Sequence, residues 1–404
     1  MSDTPDNLSF NEYNDTSWRA RVEKELRGKS YDDHLLWKSL DGFEIDAWQN
    51  TLPSPLASVP PLRTPWRIME PIYTESAQEA NKLALDALME GAEAVWFFKG
   101  FLGAAAEVAC KGIDTDVAPV FIKGGNIHDP FHKLLKHGEE VIHLPEGHVE
   151  FNGKRFRERG ATVVEEVAFL LAQAIEVGEQ KGFGSSIVFH TGVGNAFLTE
   201  IGKIRALRWL WKSIQAKEGI SHSETTVVAS NLCFNYAQND EHTNVLRASS
   251  STLSAVLGGA QYIMIEPWNR KWKPDDGFSR RISRNIQILQ KEEGRLDKNL
   301  NPADGSYFIE HLTTVIAHSA WTKVQAILAA GGFSKYAQSG ALKSDLLSSS
   351  ATLIQAFHEG DQTLLGVSKY RPGDATPEAQ IESSEYVLLP PVISLAHELQ
   401  NQSS

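Results

Sequence analysis

The chain of 404 residues has only two cysteines, Cys110 and Cys233, placed far apart. That spacing offers neither a disulfide framework nor a cysteine-based metal site. Positive charge is scarce too, with 39 Lys and Arg against 51 Asp and Glu and a formal net charge of −12. Binding along a nucleic-acid backbone needs a basic face, so no nucleic-acid partner is expected, though a local anion site stays open. No apolar run is long enough to cross a bilayer. The polar, acidic start MSDTPDNLSFNEYND has no apolar stretch of the kind a signal peptide needs. The expectation is a reducing, cytoplasmic or matrix-like setting and no membrane partner. A G-x-G-x-x-G fingerprint after the first strand is missing, and so is the G-x-S-x-G of a nucleophile elbow.

What the chain does have is a globular composition, 42% hydrophobic and 22% charged, sufficient for a large core. Its length suits one large domain or two ordinary ones. Residues 1–16 read as a disordered lead. Over residues 18–40 the pattern is helical, with Trp18, Val22 and Leu26 four apart, and it stops at the turn Asp41-Gly42. The stretch TLPSPLASVPPLRTP (51–65) holds five prolines in fifteen residues. Proline has no N–H to donate, so this stretch predicts an extended arm lying against something else.

Beyond the arm, short apolar runs alternate with helix-period segments. The runs are 71–74 (PIYT), 94–98 (AVWFF), 120–123 (VFIK), 148–152 (HVEFN), 187–191 (IVFHT), 226–230 (TVVAS), 262–266 (YIMIE) and 364–369 (LLGVSK). Helical segments include 77–89, 163–177, 197–215, 243–257 and 279–292. Eight strands alternating with helices predict an α/β fold, the closed (β/α)8 or TIM barrel. An open doubly wound sheet is the competing arrangement. The expected division is an N-terminal arm (1–65), a barrel (66–375) and a C-terminal tail (376–404).

Chemistry in such a barrel sits at the C-terminal ends of the strands. Those ends carry Gly153-Lys154-Arg155, Asn231-Leu232-Cys233 and Pro267-Trp268-Asn269-Arg270. The first belongs to the basic stretch FNGKRFRERGA (151–161), in which Arg155, Arg157 and Arg159 are candidate contacts for a phosphate or carboxylate. Guanidinium groups bind such anions through paired hydrogen bonds. The plainer reading is a solvated loop and helical turn in which Glu158 pairs locally. His128 and His132 stand four apart, as zinc ligands on a helix do. Yet Asp129-Pro130 reads as a helix cap followed by proline at the first helical position. That puts both histidines on an ordinary exposed helix with no third ligand in range, and no metal is expected.

Several longer stretches go together. They are WRARVEKELRGK (18–29) with Leu36-Trp37-Lys38 and Asp41-Gly42, KIRALRWLW (203–211), LGGAQ (257–261), SRRISRNIQILQKEE (279–293) and NPADGSYFIEHLT (301–313). In this order they resemble the methylmalonyl-CoA mutase family, the cobalamin-dependent acyl-CoA mutases, over residues 18–370. The resemblance implies a barrel whose axis admits the coenzyme A chain, topped by a separate cobalamin domain. It also implies a radical interconversion of succinyl-CoA and methylmalonyl-CoA in a cavity closed to water. Asp32-Asp33-His34 contains the Asp-x-His of the corrin-binding Asp-x-His-x-x-Gly signature. Trp37 occupies the glycine position, so His34 is not expected to bind cobalt.

Measured against that family, the functional positions are replaced. Active members carry Gly-Tyr-His after the fourth strand, where this chain has Gly153-Lys154-Arg155. Their Arg-x-Tyr in the first strand becomes Met69-Glu70-Pro71, and their Arg-x-His-x-Gln-Thr-Ser-Gly falls where Thr226, Val228 and Ser230 stand. His-Thr-Asn-x-x-Asp-Glu aligns with Met264 to Arg270, so Glu266 replaces a site residue, and 124–147 is unrelated. No catalytic residue is therefore expected at Met69, Pro71, Lys154, Arg155, Thr226, Val228, Ser230, Met264 or Glu266. Two cations at 154 and 155 would plug the barrel mouth and would need an acid such as Glu266 beside them. With so short a tail, no cobalamin domain is expected in this chain. The resemblance then implies a non-catalytic small subunit of a heterodimeric mutase that binds no cofactor itself, with adenosylcobalamin held by the large catalytic subunit. Two alternatives are an active barrel that borrows a cobalamin domain from another chain, and a regulatory barrel that binds an acyl-CoA or anion.

Overall fold

A computed structural model describes residues 14–54, 59–137, 148–220, 225–273, 276–372 and 386–401. The chain opens with helices α1 (Asp15–Glu25) and α2 (Tyr31–Leu35), followed by an antiparallel pair, β1 (Leu36–Lys38) and β2 (Glu44–Asp46). The single helix expected over 18–40 is broken. Arg27 and Gly28 both take positive φ and end α1. Ser30 then caps a fresh turn by accepting from the Asp33 N–H. Trp37 leaves the helical path because its ring packs edge-on against Phe43 across the hairpin, with centroids 5.9 Å apart.

The barrel follows as β3 (Arg67–Ile72), α3 (Ala77–Met89), β4 (Ala94–Phe97), α4 (Ala104–Ala109), β5 (Val120–Ile122), β6 (Ile127–His128), α5 (His132–His137) and β7 (His148–Asn152). It continues through α6 (Lys154–Arg157), α7 (Val163–Lys181), β8 (Ile187–Val193), α8 (Phe197–Lys217), β9 (Thr225–Asn231), α9 (Thr243–Gly258) and β10 (Tyr262–Met264). Helices α10 (Gly277–Ile288), α11 (Tyr307–Ala329), α12 (Phe333–Gln338), α13 (Ala341–Glu359) and α14 (Leu395–Asn401) complete it. Strands β3 to β10 are parallel and adjacent in chain order, and β10 returns to β3. Between β5 and β6 the ring is joined by one bridge, Lys123 to Ile127. Eight parallel strands thus form a nearly closed (β/α)8 barrel, as expected.

One strand assignment is corrected. Residues 364–369 are a turn with a single bridge from Leu365 to Lys369, and the barrel's missing strand is β6. No helix separates β5 from β6. Instead Asn126 holds the two together, accepting from Ile122 N and donating to Val120 O, each at 2.7 Å. A two-residue strand has no periodicity to read, and a side chain stitches it in place of a crossover.

Outward-facing residues such as Ile187, Phe189, Val227 and Ile263 pack under α7, α8, α9 and α11, which build the main core. Inward-facing Met69, Trp96, Phe121, Val188, Val228 and Met264 form a separate cluster that fills the bore. Trp96 is its hub, stacked on Phe98 at 5.3 Å and on Phe121 at 5.5 Å. At the C-terminal end of the barrel, Leu395, Ala396 and Leu399 of α14 pack onto Leu232, Phe234 and Leu364. The described part of the tail therefore lies over the face where such barrels place their chemistry. Trp96→Ala should empty the bore layer at a cost of about 3–5 kcal/mol, seen as a lower urea midpoint at unchanged slope.

Candidate functional site

At the barrel mouth, β7 runs into α6 through Gly153, where a Cβ would lie 2.8 Å from the Glu166 side chain. The tight passage delivers Lys154 into the mouth. Its Nζ donates to Glu266 Oε1 at 3.1 Å, with Glu158 at 3.8 Å on its other side. Tyr73, just past β3, donates to the same Glu266 oxygen at 2.5 Å. Arg270 reaches the second carboxylate oxygen at 3.3 Å and lays its guanidinium 3.3 Å over the Tyr73 ring. Asn231 closes the group by accepting from the Glu266 backbone N–H at 2.7 Å.

Burial alone would neutralise these groups, yet their mutual charges win. Burial pushes the Lys154 ammonium down, but Glu266 and Glu158 outweigh it and hold its pKa above the ordinary value. Burial likewise pushes Glu266 up, and Lys154 and Arg270 bring it below the usual carboxylate range. Tyr73 is driven well up by burial and then by Glu266. Cys233, beside them, is raised to about 12 by burial, so its thiol stays protonated and is no ready nucleophile.

Deeper in the barrel lies a second polar layer. Glu150 of β7, His190 of β8 and Ser230 of β9 are all buried. His190 Nδ1 is 3.2 Å from Glu150 Oε1, and its Nε2 is 2.7 Å from Ser230 Oγ. The order acid, histidine, hydroxyl is that of a nucleophilic triad. Here Ser230 is 1% exposed, so no substrate reaches it. Burial raises the Glu150 pKa, but the His190 hydrogen bond, Lys123 and Arg155 together hold it down to about 2.

The basic stretch is not a solvated loop. Arg155 is buried and grips Asp129 with two N–H groups, at 2.6 and 3.3 Å. Arg157 donates to Glu200 at 3.0 Å and to the Ala161 carbonyl. Arg159 is buried too, donating to the Arg155 carbonyl at 2.7 Å and to the Pro390 carbonyl of the tail at 2.9 Å. Lys154 and Arg155 therefore do not share the mouth, because Arg155 turns away toward Asp129. Met69, Val228 and Met264 lie in the bore, Pro71 is buried on β3, Thr226 is buried at the start of β9, and Ser230 meets His190.

Of the histidine pair, His128 is on strand β6 and His132 begins α5, so they do not share a helix, and both are half-buried. The Asp129 carboxylate accepts from Phe131 N while holding Arg155. Among the described residues no cluster of His, Cys, Asp and Glu side chains is arranged to hold a metal ion. His34 is hydrogen-bonded to the Ser30 carbonyl at 3.1 Å.

Sequence reasoning missed Tyr73, Glu150 and His190, and also Glu166, Glu200 and Lys203, which form a buried quartet with Arg157. In that quartet Lys203 donates to Glu166 at 2.7 Å and pairs with Glu200 at 2.5 Å. A signal existed for two of them. Glu166 lies on one helical stripe with Leu170, Gln173 and Val177, and Lys203 on one with Leu207 and Trp211. A charge on an apolar stripe requires a buried partner.

Residues 140–388 match the family described as methylmalonyl-CoA mutase. The methylmalonyl-CoA mutase small subunit of Porphyromonas gingivalis is 26% identical, the match covering 88% of this chain and 69% of that protein. The methylmalonyl-CoA mutase of Cereibacter sphaeroides is 30% identical over 57% of this chain, and the match takes in 34% of that protein. The methylmalonyl-CoA mutase large subunit of P. gingivalis is 30% identical over 55% of this chain and 33% of its own length. The chain thus aligns with only about a third of the last two.

A depressed carboxylate pKa stabilises the fold above the unfolded value and loses that effect as pH falls through the folded value. For Glu150 the window runs from its ordinary 4.5 down to about 2. Glu150→Gln should therefore be less stable at pH 7 and show a visibly flatter loss of stability between pH 4.5 and 2, measured by urea unfolding at each pH.

Proposed function

The chain belongs to the methylmalonyl-CoA mutase family, and on that premise we propose that it is the non-catalytic small subunit of a heterodimeric mutase. The large subunit then holds adenosylcobalamin and carries the interconversion of methylmalonyl-CoA and succinyl-CoA. The observation that carries this reading is the Lys154–Glu266 pair across the mouth, 3.1 Å long and supported by Arg270 and Tyr73. A radical reaction needs a cavity there with room for the substrate and closed to water. Lys154 and Glu266 instead put an ion pair in it, and Trp96, Phe98 and Phe121 stack in the bore below. These residues fit neither a corrin face nor an acyl-CoA chain.

The small-subunit name of the P. gingivalis relative, which is matched over 88% of this chain, supports the same reading. So does the existence of a large subunit in that organism. A barrel kept for packing and freed from catalysis retains its core motifs and loses its site. On this reading residues 1–65 form the arm that contacts the partner, 66–375 the barrel and 376–404 the tail. On the same reading the pair works in the cytoplasm. No described helix is long and apolar enough to cross a membrane.

The test is gel filtration with light scattering on this chain alone and mixed with the large mutase chain of the same genome, followed by an adenosylcobalamin-dependent methylmalonyl-CoA assay. A one-to-one complex, active only through the large chain's site, is expected. Failure to form any complex would overturn the proposal. The double variant Lys154→Tyr with Arg155→His should remain without turnover when a cobalamin protein is supplied, since the other replaced positions are untouched. Measurable conversion by that variant would show that the barrel is a catalytic one.

A further inference from the structure

Helix α10 packs against α9 and β3 on the outside of the barrel and runs on through one π-helical turn, Leu289–Glu293. Ser279, Ser283, Arg284 and Gln287 form its buried side. Helical spacing puts Phe278, Arg281, Ile282, Asn285 and Leu289 on the opposite side, and Glu292 continues that stripe. Phe278 is 59% exposed and Leu289 55%. Met89, at the end of α3, is 88% exposed and borders the same patch, because nearby Gly91 abuts Ile288. An apolar patch of this kind, rimmed by charge, marks a contact surface. Arg281 and Glu292 are both exposed, and neither has an ion pair or hydrogen bond among the described residues. From this pattern we propose that α10 is the contact between two copies of this chain, packed antiparallel about a two-fold axis.

The order of residues along the stripe is what selects a second copy as the occupant. Its two free charges have opposite sign and stand eleven residues apart, Arg281 toward the start and Glu292 toward the end. A second α10 turned end for end brings its own Glu292 opposite Arg281, and its own Arg281 opposite Glu292. A two-fold contact is self-complementary, so each such pairing is made twice. In the same register Leu289 of each copy meets Ile282 of the other, and the two exposed Asn285 amides face one another at the axis. The apolar side chains are covered while each free charge gains an opposite partner. A parallel pairing would set Arg281 against Arg281 and Glu292 against Glu292, which repel. The stripe faces outward, whereas Lys154 and Glu266 face into the barrel mouth. The contact therefore leaves the mouth free and does not rest on the large-subunit reading.

Self-association is measured by sedimentation velocity on the full chain alone, over a wide range of concentration. A monomer–dimer equilibrium is expected. Arg281→Glu and Glu292→Arg should each weaken the dimer at least tenfold, because each sets like charges opposite one another twice. An equimolar mixture of the two variants should recover it, since both charge contacts of the mixed pair again join opposite signs. The melting temperature of each variant should match that of the unaltered chain, because neither side chain has a partner to lose. A chain that stays monomeric at every concentration, a dimer indifferent to both charge reversals, or a mixture that fails to recover association would each overturn the proposal. The large subunit is absent from this measurement, so none of these outcomes bears on the mutase reading.

Discussion

A charge taken out of water must meet an opposite charge, and this requirement organises the centre of the molecule. Lys154 meets Glu266, Arg155 meets Asp129, Arg157 meets Glu200, and Lys203 lies between Glu166 and Glu200. These pairs are not local. They join α6 to the β6–α5 loop, to the end of β10 and to helices α7 and α8. A pair of this kind has narrow geometric tolerance, so it fixes how those elements sit as well as neutralising charge. Removing one member would leave the other buried and alone, which costs more than the pair itself contributes.

The same requirement bears on chemistry. A (β/α)8 barrel offers its strand ends as a scaffold for function, and here those ends are occupied by groups that satisfy one another. Glu266 receives Tyr73 and Lys154, and Asn231 holds its backbone in place. Below them the bore is closed by stacked rings, and above them the tail is tied down through Arg159 and Pro390. Polar groups whose hydrogen bonds are already made have little left to offer a substrate.

Much of the architecture was legible in the residues. Strands β4, β5, β7, β8 and β9 were placed to within about two residues, the usual uncertainty of element ends. They are β-branched and aromatic runs buried on both faces. Helices α3, α7, α8, α9 and α10 were legible as well. The misreadings share a cause. Residues 18–40 keep helical spacing, but the backbone turns at Gly28 and Trp37 finds its partner across a hairpin. Residues 364–369 have the composition of a strand without a sheet edge to join, and β6 has an edge to join without the composition. In each case a contact distant in sequence decided against local preference.

By itself the sequence determined the alternation of strands and helices, the (β/α)8 class and the family resemblance. These follow from periodicity, capping and local motifs, which are properties of neighbouring residues. Only the tertiary structure decided which acid each buried base would meet. Arg155 finds Asp129 across 26 residues, and Lys154 finds Glu266 across 112. Coulomb attraction selects partners by distance in space, and nothing in the spacing along the chain encodes that distance until the barrel has closed.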